Sequence, residues 1–406
     1  MTSTIRPRRG AAQPSAARMM AIIERLASDD FTGRRTGTPG GHAAAAWLTG
    51  HLTSLGADVT CDEFAVTGAV KELQHPPALQ WTDGTSTWQL QHRRDFAEHL
   101  ASAYLPQPVT GPLRRFATGD PQRAWLLDTT ITPDHAAHAA ATGALGVITA
   151  RGTDAAGWMP KMVNGPATIA LPVLSVREDI HQQMTDAAPT GSAQLTASVP
   201  LKAVDTTGIN VHGVFTTAAA GNISVLLTAH YDGVGDDADL RHPAACDNAS
   251  GVAVILETAR LLTTTVPGIG VAVALLDAEE AGLHGAAHHA PHVPTGTYVI
   301  NLDGAATLDH PAAVEAGGPA HHLLLALDHA ARKTGIPLQA SAIRSDNRRY
   351  TAAGLPTIGI GMGMPGYQTP AETPNRVQPH TLTATATLIL STVDKLAATS
   401  RQAPRT

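Results

Sequence analysis

The sequence predicts an α/β protein: a mostly parallel mixed sheet flanked by helices, with a small α/β domain inserted into it. After about residue 205, short apolar runs alternate with helical segments, a pattern typical of buried parallel strands. Between 72 and 204 prolines accumulate and the predicted strands are short, which indicates a separate unit. The main domain is therefore predicted to consist of 17–71 and 205–400, and the inserted domain of 72–204.

The first half of the chain offers mostly local signals. Helices are predicted at 17–30 and 40–56, and the glycine-rich segment 31–41 between them is interpreted as a connecting loop, since glycine clusters usually mark turns. In the inserted domain, apolar runs indicate strands and the segments between them indicate helices. The predicted elements are strands at 123–128, 144–149 and 172–176, and helices at 133–142 and from the third strand to about 187.

The second half is more regular, and its pattern places polar residues at strand ends. The predicted elements are strands at 223–229, 270–276, 298–302 and 356–360, and helices at 250–264, 320–334 and 382–397. His230, the pair Glu279–Glu280 and Asp303 each lie just beyond one of these strands. Open α/β sheets bind their ligands along the carboxyl edge. The sequence therefore predicts that these side chains meet there.

Composition excludes several classes of protein. The 406 residues, 43% of them apolar, suffice for about two domains with well-formed cores. A net charge of −6 gives no basic surface for nucleic acid. No apolar run reaches the length of a signal-peptide core or a membrane span, so a cytoplasmic location and no membrane partner are predicted.

Residues 1–16 and the last four residues are expected to lack regular structure. The two cysteines, Cys61 and Cys246, are expected to stay reduced.

Short motifs that combine carboxylates with histidine, asparagine or tyrosine follow one another in the second half. They are His230-Tyr-Asp232, Asp247-Asn-Ala-Ser-Gly251, Glu279-Glu-Ala-Gly282, Asn301-Leu-Asp303 and Tyr367-Gln-Thr-Pro370. A histidine nitrogen together with several carboxylate oxygens is a typical ligand set for a borderline or hard cation. The motifs therefore predict a metal site, with zinc as the expected ion.

These motifs resemble those of the di-zinc exopeptidases, a family that includes bacterial aminopeptidases, glutamate carboxypeptidase and, more distantly, glutaminyl cyclase. The resemblance begins at the loop 27–40 and continues through the five motifs and Ser345-Asp346 to Thr369-Pro-Ala-Glu-Thr-Pro374. It implies a zinc aminopeptidase-like fold for the main domain. The inserted region resembles the protease-associated domain.

The resemblance also implies a role for each site residue. Asp247 would bridge two zinc ions, His230 and Asp303 would complete the first site, and Glu280 would serve the second. Glu279 would be the general base. For the remaining positions it implies that Asp232 orients the imidazole, that Tyr367 donates a hydrogen bond to the tetrahedral intermediate, and that Asp346 and Asn347 contact the substrate.

Two positions depart from the family pattern. Gln368 stands where the second site normally receives its histidine, and Asn347 stands where a histidine commonly follows Ser-Asp. A neutral amide is a poor zinc ligand, so Gln368 is a doubtful one. One zinc ion is expected, and the second ion stays in question. A cyclase mechanism is disfavoured because cyclases hold their single zinc with that late histidine.

The leading function is a metal-dependent hydrolase of amide bonds, most simply an aminopeptidase acting on a small peptide or amino-acyl metabolite. Two alternatives stay open. One is a specialised intracellular biosynthetic amidohydrolase, or an acyl- or cyclotransferase, that acts on one small metabolite. The other is a catalytically silent binding relative. The sequence does not determine the oligomeric state or the substrate side chain.

Overall fold

A computed structural model describes residues 13–116, 123–128, 132–161 and 169–402. The first twelve residues of the predicted lead-in and the predicted tail at 403–406 lie outside these ranges. The predicted fold class is confirmed: the chain forms mixed sheets flanked by helices.

Among the described residues, several strands follow one another directly before residue 133, and after residue 224 most strands are separated by helices. The strands are β1 (Asp58–Leu73), β2 (Leu79–Thr82), β3 (Thr87–Gln89), β4 (Phe96–Glu98), β5 (Leu105–Arg115), β6 (Trp125–Asp128), β7 (Gly146–Arg151), β8 (Val173–Arg177), β9 (Gln194–Val199), β10 (Leu201–Thr216), β11 (Ser224–His230), β12 (Gly270–Leu276), β13 (Tyr298–Asp303), β14 (Ala312–Gly317), β15 (Leu338–Ala340) and β16 (Thr357–Gly361). The α-helices are α1 (Ala16–Leu26), α2 (Pro39–Ser54), α3 (Pro133–Ala141), α4 (Glu178–Ala187), α5 (Ser250–Thr265), α6 (His284–His289), α7 (His321–Thr334), α8 (Asn347–Ala352) and α9 (Pro379–Gln402).

The main sheet has the strand order β1-β10-β12-β11-β13-β16-β14-β15. Its centre is parallel: β11 pairs with β12 on one side and β13 on the other, and β13 pairs with β16. The flanking pairs β1–β10, β10–β12 and β14–β16 are antiparallel. The parallel centre brings the carboxyl ends of β11, β12 and β13 to one edge of the sheet.

The hydrophobic core lies mainly on one face of this sheet, under α1, α2, α5, α7 and α9. Helix α5 is buried over nearly its whole circumference. The shorter helices α6 and α8 pack on the other face. Because packing holds the central strands on both faces, their carboxyl ends form a rigid platform.

Strands β1 and β10 form a long antiparallel ribbon that leads from the main sheet to a second sheet. The ribbon pairs Asp58 with Val214 at one end and Leu73 with Leu201 at the other. The second sheet, β3-β2-β9-β5-β6-β7-β8-β4, is built entirely from residues 79–199. The predicted domain boundaries at 71/72 and 204/205 fall inside the ribbon, and a separate protease-associated-like domain stays a prediction.

Several elements were not predicted, including the ribbon, β14, β15 and α8. Most ribbon positions in β1 are exposed or half-buried, so the apolar pattern there is weak. None of the helices in the described ranges is both long enough and apolar enough to span a lipid bilayer.

Candidate metal centre

The carboxyl edge of the parallel strands positions the predicted metal ligands. His230 is the last residue of β11 and Asp303 the last of β13, whereas the sequence predicted both just beyond their strands. Glu279 and Glu280 follow β12 in the adjoining turn. Parallel pairing of the strands holds these segments side by side. The predicted convergence is therefore observed.

His230 is 1% exposed and is held at Nδ1. Its Nδ1 lies 3.1 Å from the backbone oxygen of Asp232, which can only accept, so the Nδ1–H group is the donor of this hydrogen bond. Its Nε2 lies 3.1 Å from Asp247 Oδ1 and 3.4 Å from Asp303 Oδ1. A metal-binding imidazole is usually oriented in this way, through a hydrogen bond from its other nitrogen.

These separations fit a zinc ion. With ligand distances of 2.0–2.2 Å, donor atoms around a tetrahedral ion lie about 3.3 Å apart. The distances from His230 Nε2 to Asp247 and Asp303 bracket that value. Glu279 belongs to the same group, since ligand atoms of His230, Glu279 and Asp303 lie within 4.8 Å of one another. The residues present therefore fit a zinc ion at the first site.

Asp232 organises the segment after β12. Its Oδ1 accepts a hydrogen bond from the backbone N–H of Glu279 at 3.1 Å, and its Oδ2 accepts one from Glu280 at 3.2 Å. The resemblance implied that this carboxylate orients the imidazole. In the structure the imidazole Nδ1 lies 3.1 Å from the backbone oxygen of Asp232 and 3.5 Å from its Oδ1, and the same side chain also positions the two glutamates.

The buried carboxylate of Glu372, which the sequence motifs did not single out, holds Asp247. Glu372, 1% exposed, accepts hydrogen bonds from the backbone N–H groups of Cys246 and Asp247 through Oε1. Its Oε2 accepts one from Gln368 at 2.7 Å. One side chain therefore fixes two loops of the centre. The sequence signal that could have identified Glu372 was its position as an acidic residue between the two prolines of the motif that follows Tyr367.

The loop between α1 and α2 also reaches the centre. Arg34 is fully buried and donates to the backbone oxygens of Leu26, Tyr231, Pro243 and Ala244. These hydrogen bonds tie the segment before Asp247 to the segment after β11. The interpretation of 31–41 as a simple connector therefore missed a structural role.

Burial and mutual repulsion dominate the electrostatics of the centre. Burial, followed by neighbouring charges, raises the pKa of Glu279 and Glu280 well above the ordinary value, and the pKa of Asp247 is raised as well. Burial alone would lower the pKa of His230, but Glu279 and the surrounding aspartates outweigh it and raise that pKa. The centre carries more negative charge than its own cations neutralise, and a divalent ion would relieve it.

Gln368 lies against the second predicted ligand. Its Nε2 donates to Glu280 Oε2 at 2.8 Å, while the Oε1 atoms of both residues are buried without a hydrogen-bond partner among the described residues. Tyr367 next to it is 43% exposed.

Asp346 and Asn347 are both buried, at 0% and 1% exposure. Burial raises the pKa of Asp346 to about 8. The Asn347 amide donates to Glu315 at 3.1 Å. Contact of these two buried residues with substrate stays a prediction.

Comparison with known proteins agrees with this geometry. Residues 210–393 match the family model of Peptidase family M28. The match covers the segments that carry His230, Asp247, Glu279, Glu280 and Asp303, as well as Gln368. The family resemblance predicted from the motifs is confirmed.

A curated relative and two solved structures extend the comparison. Aminopeptidase YwaD of Bacillus subtilis (strain 168) is 31% identical over 130 residues, which is 31% of this chain and 25% of that protein, so the chain spans about a quarter of its length. An aminopeptidase from Aneurinibacillus sp. strain AM-1 superposes with a TM-score of 0.72 at 21% identity, covering 95% of this chain and 94% of that one. BSAP, a zinc aminopeptidase from Bacillus subtilis, gives 0.71 at 21% identity, covering 95% of each chain.

Proposed function

We propose that this chain, whose second half matches Peptidase family M28, is a zinc-dependent aminopeptidase-like hydrolase of small peptides or amino-acyl metabolites. The observation that carries the proposal is the buried Nε2 of His230, which lies 3.1 Å from Asp247 and 3.4 Å from Asp303. The sequence motifs and the aminopeptidase relatives support the same reading.

The chemistry divides between the ion and the protein. A bound zinc ion supplies Lewis acidity, which lowers the pKa of water to roughly 7 and polarises a carbonyl group. His230, Asp247 and Asp303 would hold that ion. Burial raises the pKa of Glu279 well above the ordinary range of a glutamate. A carboxylate of raised basicity suits proton abstraction near neutral pH.

Glu279 would take the proton from the attacking water and pass it to the leaving amine. Asp232 supports this role because its hydrogen bond to the backbone N–H of Glu279 fixes the base beside the metal ligands. Tyr367 would donate its phenolic proton in a hydrogen bond to the carbonyl oxygen as negative charge develops there. Burial, and then the nearby carboxylates, raise the pKa of Tyr367, which keeps the phenol protonated and able to donate.

The surroundings of the centre favour a particular substrate class. The surplus of carboxylates attracts a substrate with a free α-ammonium group. A cavity of about 300 Å³ adjoins Asp303, lined by apolar residues such as Ile343 and Met362 and by Asp309 and His310. We assign this cavity to the side chain of the substrate's amino-terminal residue. The two aspartates disfavour acidic side chains, so neutral and apolar residues are the expected substrates.

Glu279→Gln tests the reaction. The variant should fold and bind zinc like the parent, because the amide is nearly isosteric, while turnover of leucyl arylamide falls about 100-fold or more through loss of the base. Circular dichroism, zinc content and initial rates are measured on one preparation. Glu24→Gln, at an exposed position, is the matched control.

A variant that retains parental turnover would show that another group moves the proton. Parent protein that hydrolyses none of a panel of leucyl, glutamyl and acylated substrates, with zinc bound, would favour the silent binding relative instead. Preference for glutamyl over leucyl arylamide would refute the assignment of the cavity.

A further inference from the structure

The inserted segment contacts the loop that carries Tyr367 and Gln368. The backbone N–H of Lys161 donates to the backbone oxygen of Gln368 at 2.9 Å. Close to this hydrogen bond, Thr369 Oγ1 lies 3.3 Å from Asp154 Oδ2. Lys161 and Asp154 both lie between β7 and β8, two strands of the second sheet. The second sheet is therefore joined to the candidate metal centre at the residue next to Tyr367.

Gln368 has a backbone conformation that depends on such contacts. Its φ is +54°, in the left-handed region that residues other than glycine rarely adopt. A conformation of this kind persists only where the surrounding structure holds it. The N–H of Gln368 donates to Glu372 at 2.7 Å, and its side chain donates to Glu280 at 2.8 Å. Its carbonyl oxygen is held by Lys161, the one of these three partners that belongs to the inserted segment.

The side chain of Lys161 is anchored in the main domain. It is 8% exposed, and its Nζ donates to the backbone oxygen of Gly235 at 2.8 Å and lies 2.9 Å from Asp237 Oδ1. Gly235 and Asp237 belong to the loop after β11, the strand that ends at His230. Because the amine of Lys161 binds this loop while its backbone N–H binds Gln368, one residue of the inserted segment connects both loops.

The position of the Tyr367 phenol depends on the same loop. Burial, followed by the carboxylates of Asp247 and Glu280, raises the pKa of Tyr367, so the phenol lies within electrostatic range of the centre. A donor that stabilises an oxyanion acts only within about 2.7–3.1 Å of that oxygen. A misplacement of about 1 Å can lower the rate about 100-fold. Whatever fixes the backbone beside Tyr367 therefore affects turnover.

We infer that Lys161 is a positioning residue, which fixes the backbone of Gln368 and thereby holds the phenol of Tyr367 at the reacting carbonyl. The inference rests on the proposed function, since the role of Tyr367 belongs to it. The inserted segment then takes part in catalysis, because one of its residues sets the position of a hydrogen-bond donor in the centre.

Lys161→Met tests the inference, because methionine fills a similar space without an ammonium group. We expect kcat for leucyl arylamide to fall about 10-fold or more, with KM within a factor of about two of the parent, because the lost contact acts on the transition state. Zinc content should be unchanged. Lys161→Gln keeps one N–H donor and should lose less turnover. Lys395→Met, at an exposed position of α9, is the matched control and should keep the parental kcat and KM.

A double-mutant cycle with Tyr367→Phe separates positioning from a general loosening of the fold. Tyr367→Phe alone should lower kcat about 100-fold, the usual cost of one oxyanion donor. If Lys161 acts through the phenol, Lys161→Met should change kcat little once the phenol is absent. Effects that multiply, or a loss of zinc in parallel with kcat, would overturn the inference. If Lys161→Met does not fold, the cycle uses Lys161→Gln.

Amide hydrogen exchange tests the positioning without reference to turnover. The N–H groups of Tyr367, Gln368 and Thr369 are hydrogen-bonded, at 3.2, 2.7 and 2.9 Å, and should exchange slowly in the parent. In the Lys161 variants, exchange of residues 366–372 should be about 10-fold faster, while peptides from α9 should keep the parental rate. Unchanged exchange in residues 366–372 would overturn the inference.

Failure of the proposed function has a different signature. It would appear as a parent that turns over no substrate, or as Tyr367→Phe with parental kcat, and the exchange rates would then still decide whether Lys161 holds the loop. Parental kcat in Lys161→Met, beside a normal loss of turnover in Glu279→Gln, would overturn the inference alone.

Discussion

Two clusters of buried charge differ in how their charges are balanced. The metal centre joins His230 to several carboxylates. The second group, here called the junction cluster, consists of Arg93, Glu98, Lys161, Asp237, His92 and His242. It connects the inserted segment to the main sheet, with Arg93 Nε 2.8 Å and Lys161 Nζ 2.9 Å from Asp237.

The pKa values of the carboxyl groups are shifted in opposite directions in the two clusters, although burial alone would raise the pKa in both. In the junction cluster burial alone would raise the pKa of Glu98, but Arg93 and His92 outweigh it and lower that pKa. The pKa of Asp237 is likewise held well below its ordinary value, by Lys161 and Arg93. At the metal centre the carboxylate pKa values are raised. The junction cluster therefore contains its own cations, whereas the metal centre is built to receive one.

Arg93→Met should have the largest effect on stability. It leaves Glu98 and Asp237 buried with less positive charge, and breaking a buried pair in this way costs about 3–5 kcal/mol. Chemical denaturation measures the loss. Arg332→Met is the matched control, because its pair with Asp328 is 79% and 52% exposed and should contribute far less to stability. Equal effects of the two substitutions would refute the contrast between the clusters.

Removal of the metal by a chelator should have the second-largest effect on stability. An ion present at 100 times its dissociation constant stabilises the native state by about 2.7 kcal/mol, and the chelated protein should lose a stabilisation of that order. Differential scanning calorimetry with and without chelator measures it, and readdition of zinc should restore the parental curve. An unchanged transition would argue against a metal site in the native protein.

The pH dependence of the metal-free protein should follow the raised pKa values. The pKa of Asp346 is about 8 in the fold and about 4 in an unfolded chain. Its protonated form is therefore favoured by folding, and this stability is present at low pH and is lost as pH rises toward 8. The metal-free protein should be more stable at pH 6 than at pH 8.

The metal-bound protein should show less of this trend, because metal binding weakens as its ligands protonate. The junction cluster provides an internal reference. The pKa values of Glu98 and Asp237 are lowered, so their contribution is lost only in acid and stays constant between pH 6 and 8. Melting temperatures of both forms at the two pH values test the prediction. A metal-free protein that is less stable at pH 6 would contradict it.

Glu372→Gln should have the smallest effect. The amide keeps one acceptor for the N–H groups of Cys246 and Asp247 but presents its NH₂ to the N–H of Gln368. We expect a destabilisation of about 1–3 kcal/mol and a metal affinity about 10-fold lower. Denaturation and zinc titration are compared with Glu178→Gln, at an exposed position. Unchanged metal affinity would show that Glu372 supports the loops without tuning the centre.

The convergence of His230, Glu279 and Asp303 could be predicted from the sequence because each lies at or just after the end of a strongly apolar strand. The runs before His230, Glu279 and Asp303 are buried, and parallel pairing brings their ends together. The sequence also singled out Gln368 as a departure from the family pattern. What it could not provide was the hydrogen bond from that amide to Glu280.

The supporting residues were harder to find because their partners are distant in the chain. Arg34 binds carbonyl oxygens about 200 residues away, and Glu372 binds N–H groups about 125 residues before it. Backbone carbonyl and N–H groups carry no sequence signature, so no motif reveals such contacts. The β1–β10 ribbon was missed for a different reason: few of its side chains are buried, and the apolar alternation is faint.

The hydrogen bonds of Arg34 set an order of events during synthesis on the ribosome. Residue 34 emerges early, but its acceptors at Tyr231, Pro243 and Ala244 emerge about 200 residues later. All strand pairs of the second sheet lie between residues 79 and 199, so that sheet has its full set of partners before these acceptors exist. When the second sheet has been translated, the Arg34 guanidinium can therefore reach only one of its four backbone acceptors, the oxygen of Leu26. The segments of the candidate metal centre are complete only after Glu372 has been translated.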